Sequence, residues 1–143
     1  MHQLVYVSTA SWAMSDADLN DILDASRRNN RTKGVTGLLL YLDYGFLQVL
    51  EGPNVAVEET YAAICRDRRH SGPRILIEQD VAERAFGSWS MGFERLSPDY
   101  ARTADVFAIT REAIDNVIAP QRAAQIAALL RSFYQINAGQ YAA

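Results

Sequence analysis

Few side chains in this 143-residue sequence can do acid–base, nucleophilic or metal chemistry. The only histidines are His2 and His70, and the only cysteine is Cys65. No His/Cys spacing for a zinc site exists. A Ser–His–Asp arrangement would have to use His70, which lies in the charged stretch Asp67-Arg68-Arg69-His70 with no nucleophile signalled beside it. Neither GxxxxGK(S/T) nor GxGxxG occurs, so phosphate loops of those types are absent. What remains is a set of hydroxyls and amides: Tyr6, Ser8, Ser26, Asn29, Asn30 and Gln48. Such groups suit a ligand that carries both donors and acceptors at its edge.

Gln48 is the most unusual of them. Gly45-Phe46-Leu47-Gln48-Val49-Leu50-Glu51-Gly52 reads as a strand between two glycine turns, with an amide in its middle. Side chains alternate along a strand, so Phe46, Gln48 and Leu50 share one face and Leu47, Val49 and Glu51 the other. A buried carboxamide without partners costs about 1–3 kcal/mol, so Gln48 needs a definite one. A polar neighbour or an ordered water would do, and so would a ligand. For each other member of the set an ordinary core or capping role is the simpler reading; Asn29-Asn30, for example, fits a helix terminus. Cys65 reads as a small core residue on a helix, and Trp89 and Met91 read as packing groups.

These residues need elements to position them. Leu4–Ser8 is a first strand, with Leu4, Tyr6 and Ser8 on one face. Ser15-Asp16-Ala17-Asp18 has capping-box spacing for a helix carrying Leu19, Ile22, Leu23 and Ser26, whose far end is crowded by Arg27, Arg28 and Arg31. A strand Leu38–Tyr41 and a short hairpin at Asp43-Tyr44-Gly45 lead into the Gln48 strand. Asn54 can cap a second helix with the stripe Val57, Tyr61 and Ile64. A polar turn then precedes a strand at Arg74–Glu78, a compact loop spans Arg84–Trp89, and Ser90–Glu94 can form a fifth strand. The order β-α-β-β-α-β-β predicts an α+β, ferredoxin-like βαββαβ sheet with an extra fifth strand and two helices on one face. In that layout the first and third strands are expected as parallel central neighbours, with Tyr6 and Gln48 on a shared face. After Ser97-Pro98 the character changes: 107–118 is helix-compatible, and Ile126, Leu129, Leu130 and Phe133 form an amphipathic face. These C-terminal helices are expected to cover the outer face of the sheet, a role that a second copy could share.

Composition narrows the function classes. With 49% hydrophobic and 22% charged residues the chain is an ordinary globular one rather than a disordered one. Its net charge of −3, with bases and acids mixed, carries no footprint for nucleic acid. No apolar run approaches the ~18 residues of a spanning helix and no signal-peptide pattern opens the chain, so the cytoplasm is expected.

The ordered set Leu4-Val5-Tyr6-Val7-Ser8, Asn30 with Val35-Thr36-Gly37, Phe46–Gly52, Asp67-Arg68-Arg69-His70 and Trp89-Ser90-Met91 resembles the BLUF family of flavin-binding blue-light sensors. The resemblance spans about residues 2–96 and implies a flavin ring held between the two helices. It implies that Tyr6 is the photo-oxidisable tyrosine and that Gln48 links it to the flavin. Asn30 would bond the ring's carbonyl edge, Ile22 and Ile64 would sandwich the ring, and Ser26, Asn29, Asp67 and His70 would line the pocket. Trp89 and Met91 match the family's output positions, and the sequence does not choose which lies inside. Blue light would drive an electron and a proton from Tyr6 through Gln48, leaving the amide rotated or tautomerised and the absorption shifted to the red. The expected whole is a non-enzymatic photoreceptor: a flavin domain at 1–96, a helical extension at 97–143, FAD as cofactor with FMN as the other option, a separate effector protein and a homo-oligomeric assembly, with neither nucleic acid nor membrane as partner. Two other readings use the same layer, a non-flavin interaction or small-ligand module and an acyl-phosphate hydrolase. The hydrolase lacks an arginine-rich anion loop after the first strand, where Thr9-Ala10-Ser11-Trp12 stands.

Overall fold

Alternating and helical spacing resolve into an α+β layer in the computed structural model, which describes residues 1–42, 44–84 and 91–96. The elements are β1 (His2–Ala10), α1 (Asp16–Lys33), β2 (Thr36–Leu42), β3 (Gly45–Gly52), α2 (Asn54–Cys65), β4 (His70–Asp80) and β5 (Gly92–Leu96). They build one sheet in the order β4-β1-β3-β2-β5. This is the expected ferredoxin-like layer with its extra strand, which joins the β2 edge in parallel. The expected loop at 85–89 and everything from 97 onward, including the C-terminal helices, lie outside the described residues.

One expectation about direction is corrected. β1 and β3 are central neighbours, but antiparallel. The α1 crossover returns the chain to start β2 in the same sense as β1, and the tight hairpin then reverses it into β3. The shared face survives because Tyr6 lies directly opposite Gln48 in the register, and directly opposed side chains point the same way from the sheet.

Local chemistry sets the boundaries. Ser15 caps α1 as expected: its hydroxyl accepts from the Asp18 amide at 3.1 Å, while the Asp18 carboxylate accepts from the Ser15 amide at 3.0 Å. The helix does not stop at Asn29-Asn30. It runs on to Lys33 and ends at Gly34, whose φ of 70° is left-handed geometry that glycine adopts without penalty. α2 also departs from expectation. Its cap is Pro53, no side chain caps it, and Asn54 is already helical. β4 starts earlier than expected, at His70, with Gly72 at φ 62° and two register shifts against β1 absorbing the polar turn residues. Cys65 is exposed rather than a core residue. It lies one position, about 100° of helix rotation, beyond the inward-facing Ile64.

Both helices cover one face of the sheet. Leu4, Tyr6, Leu39, Tyr41, Phe46 and Leu50 from the strands meet Leu19 and Leu23 of α1 and Val57 of α2, with Ile22, Tyr61 and Ile64 packed against them. The other face is buried too: Leu38, Leu40, Leu47 and Val49 are all closed to solvent. Glu51 is buried there as well, accepting from the Gln3 amide at 2.9 Å, and Gln3 in turn accepts from Gln79 at 2.7 Å. Arg84 ties the edge of this layer together by donating to the Gly34 carbonyl, the Glu51 carbonyl and the Thr36 hydroxyl.

Candidate functional site

The antiparallel pairing of β1 with β3 brings the two expected photochemical residues into contact. The Tyr6 hydroxyl donates to the Gln48 side-chain oxygen, both groups being buried. With its oxygen engaged, Gln48 turns its NH₂ toward Met91, whose sulfur accepts at 3.4 Å. Met91 is 2% exposed, so at this position the thioether is inside; Trp89 lies outside the described residues. The result is a chain from phenol to amide to thioether with one weak link, because a thioether is a poor acceptor.

The surroundings of Tyr6 hold its proton in place. Burial pushes its acidity far below that of an ordinary phenol, and the nearby Tyr61, Cys65 and Asp67 act in the same direction. The Tyr61 ring lies 5.4 Å from that of Tyr6 at 56°, and its phenol is pushed up to about 12, by burial first and by Cys65 second. Tyr6 therefore does not act as a ground-state acid. Losing an electron would make its phenol strongly acidic, and the acceptor already in contact is the Gln48 carbonyl oxygen.

Gln48 opens onto a cleft between α1 and α2. One cavity, of about 420 Å³, is lined by Tyr6, Ile22, Ser26, Phe46, Gln48, Ile64, Asp67 and His70 among others. A second, of about 610 Å³, is bounded by Ser26, Asn29, Asn30, Lys33, Gln48, Ile64 and Asp67 among others. The two share Ser26, Gln48, Ile64, Asp67 and Arg69. All nine residues expected in the pocket (Tyr6, Ile22, Ser26, Asn29, Asn30, Gln48, Ile64, Asp67 and His70) line one cavity or both. Both volumes include space open to solvent, and the walls mix apolar side chains such as Ile22, Phe46 and Ile64 with polar groups that converge on the cleft.

The polar groups are held firmly. Asn30 is buried in the last turn of α1, and its backbone carbonyl accepts from the Val35 amide at 3.0 Å. Arg69 grips Asp67 through Nε at 3.0 Å to each carboxylate oxygen, with a further guanidinium N–H at 2.5 Å. That pairing outweighs burial and holds the Asp67 carboxyl below its ordinary range. His70 Nε2 lies 2.5 Å from the Ile64 carbonyl, which can only accept, so Nε2 carries a proton. In the neutral ring Nδ1 then accepts from the Ser8 hydroxyl, 2.7 Å away. His70 thereby joins the C-terminus of α2 to β1 beside Tyr6, whose ring centroid is 6.3 Å from its own.

A flavin fits this donor set. Its ring is flat and apolar on both faces, matching Ile22 and Ile64, and its polar edge carries carbonyls and an N–H that amides such as Gln48 and Asn30 can meet. Among the described residues, no group of three or more His, Cys, Asp or Glu could hold a metal ion, and no helix is long and apolar enough to cross a membrane. Sequence reading missed two contributors. Arg69 lies within the Asp67–His70 motif with nothing to mark it as the partner of Asp67, and Arg27, which donates to the Met91 carbonyl at 3.0 Å, is one of several cations near the end of α1. Neither carries a local signal that separates it from its neighbours.

Comparison with known proteins agrees with the geometry. Residues 1–92 match the family model described as sensors of blue-light using FAD, and the chain belongs to this BLUF family. The photoactivated adenylate cyclase subunit alpha of Euglena gracilis is 38% identical over 85 residues, which is 59% of this chain and 8% of that protein. The solved dark-state structure of BlrB, a BLUF protein, is 30% identical with a TM-score of 0.67, covering 89% of this chain and 95% of that one. Klebsiella pneumoniae BlrP1, solved with FMN and cyclic diGMP, is 27% identical with a TM-score of 0.76, covering 99% of this chain and 36% of that one. The chain thus spans about a tenth or less of the cyclase subunits it matches.

Proposed function

We propose that this chain is a blue-light photoreceptor in which Tyr6 and Gln48 form the photoswitch, and that it signals to a separate protein. The observation that carries the reading is the buried Tyr6–Gln48–Met91 chain at the wall of the cleft between α1 and α2. A bound flavin supplies the blue-light absorption and the one-electron acceptor. Tyr6 gives up an electron and, through the Gln48 amide, its phenolic proton; both return when the charges recombine. Gln48 is left rotated or tautomerised. In either case a donor replaces an acceptor on one side of the amide, and its contact with the Met91 sulfur changes with it. Ile22 and Ile64 sandwich the ring, Asn30 meets its carbonyl edge, and Ser26, Asn29, Asp67 and His70 complete the wall.

FAD is the cofactor we favour, because the family description names it, with FMN the alternative suggested by the Klebsiella neighbour. Residues 1–96 form the sensory unit and 97–143 its helical extension, with Trp89 and Met91 passing the change outward. The chain itself has no catalytic task. The Euglena relatives, which are photoactivated adenylate cyclases, suggest that a nucleotide-processing enzyme is one kind of effector such a unit serves. We place the protein in the cytoplasm as a homo-oligomer.

An illuminated absorption spectrum tests the reading. Purified protein should be yellow, with a band that shifts reversibly to the red under blue light. Tyr6→Phe should keep the colour and lose the normal photocycle. A colourless preparation that takes up no added flavin would refute the sensor, and a normally cycling Tyr6→Phe variant would remove Tyr6 from the mechanism.

A further inference from the structure

Met91 does more than fill the pocket. Its sulfur accepts from the Gln48 amide at 3.4 Å, its peptide leads directly into β5 at Gly92, and its carbonyl accepts from Arg27 Nε at 3.0 Å. Arg27 projects from α1, the helix that carries Ile22, Ser26 and Asn30 along the cleft. One residue therefore links the amide, the wall helix and the first residue of the edge strand.

We infer that Arg27 is a positioning residue that latches the Met91 backbone to α1, and so sets how firmly the Met91 sulfur is pressed against the Gln48 amide. The physical case rests on unequal bonds. The amide-to-sulfur contact is too weak to hold a flexible methionine on its own. A guanidinium-to-carbonyl bond is charge-assisted and directional, and half-burial shields it from water. Among the described residues β5 gains ladder bonds from β2 on one side only. Arg27 therefore supplies a second tether, through the helix layer. Where Gln48 switches by rotation, its oxygen comes to face the thioether, which has no proton to offer. Met91 must then shift against the latch or stay and oppose the turned amide. The latch thus favours the arrangement in which the amide nitrogen faces Met91 and, on the rotation route, hastens return to it.

This inference rests on the Tyr6–Gln48 switch for its kinetic consequence but not for its structural one, so the test has two arms. In the first, the ¹³C-methyl resonance of Met91 and hydrogen exchange of the β5 amides are followed in darkness in wild type, Arg27→Ala, Arg27→Lys and Arg28→Ala. Arg27→Ala should move the Met91 methyl signal and speed exchange at 92–96 about tenfold, the loss expected for one charge-assisted hydrogen bond. Exchange along α1 should stay unchanged. Arg27→Lys, which can still donate, should restore much of the effect, and Arg28→Ala should resemble wild type. In the second arm, dark recovery of the illuminated spectrum should slow about tenfold in Arg27→Ala and be partly rescued in Arg27→Lys. A Met91 methyl signal and β5 exchange indifferent to Arg27→Ala would overturn the latch. A positive first arm with no photocycle in any variant would leave the latch standing and refute the photoswitch.

Discussion

Burying a phenol against a carboxamide costs little as long as each satisfies the other, and Tyr6 and Gln48 meet that condition. The outcome is a network poised rather than locked, because the amide's second contact, with Met91, is with a poor acceptor. Elsewhere, single residues act as anchors. His2 is wedged between two carboxylates, Nε2 3.0 Å from Glu78 and Nδ1 3.2 Å from Asp80. Burial disfavours its cation, yet the two carboxylates together win and raise its pKa above the ordinary 6.5. A pKa raised by folding means that the native state holds the proton more tightly. The stabilisation is thus complete below the unfolded value and disappears as pH rises through the folded one. Denaturant titrations of wild type and His2→Gln should show the wild-type advantage at its full size below pH 6.5 and shrinking as pH rises above it. An advantage independent of pH would mean that His2 acts by packing alone.

The elements are held at a few close approaches. A Cβ at Gly37 would lie 1.8 Å from the Val49 carbonyl oxygen, a backbone atom that cannot move without breaking the β2–β3 ladder. Gly37→Ala should accordingly destabilise the fold by about 3 kcal/mol or more, read as a fall in the unfolding midpoint. An unchanged midpoint would show that the hairpin can shift as a unit. Sequence reading reached every described element but not every boundary. α1 outran its asparagines because Gly34 offers a better left-handed end. β4 gained His70–Pro73 because pairing with β1 outweighed their polar character. The sense of β3 was missed because strand direction depends on how connections close, not on the residues within the strand.

At the scale of the molecule, the sheet is buried on both faces, while α1 and α2 cover only one of them. The amphipathic stretch at 126–133 is the expected cover of the other face, and we propose the C-terminal extension that carries it as the contact surface for an effector. Truncation after Leu96 should leave the flavin spectrum nearly intact, because every expected pocket residue placed in the cleft precedes that point. It should also impair light-dependent binding of the effector, measured by pull-down in darkness and under blue light. Binding that is equal in both conditions for the full chain would sink the proposed route of output.

Strand and helix identity and the shared face of Phe46, Gln48 and Leu50 could be read without coordinates. These follow from local periodicity and from which residue types are present. The ordered motifs likewise marked Tyr6, Asn30, Gln48 and His70. Only the tertiary structure decided that Met91 lies inside, that its sulfur meets the Gln48 amide, and that Arg27 holds its backbone. Those facts join residues 43 and 64 positions apart in the chain. No local pattern distinguishes Arg27 from Arg28 until the helix is set against the sheet, because contact across that distance is settled by packing.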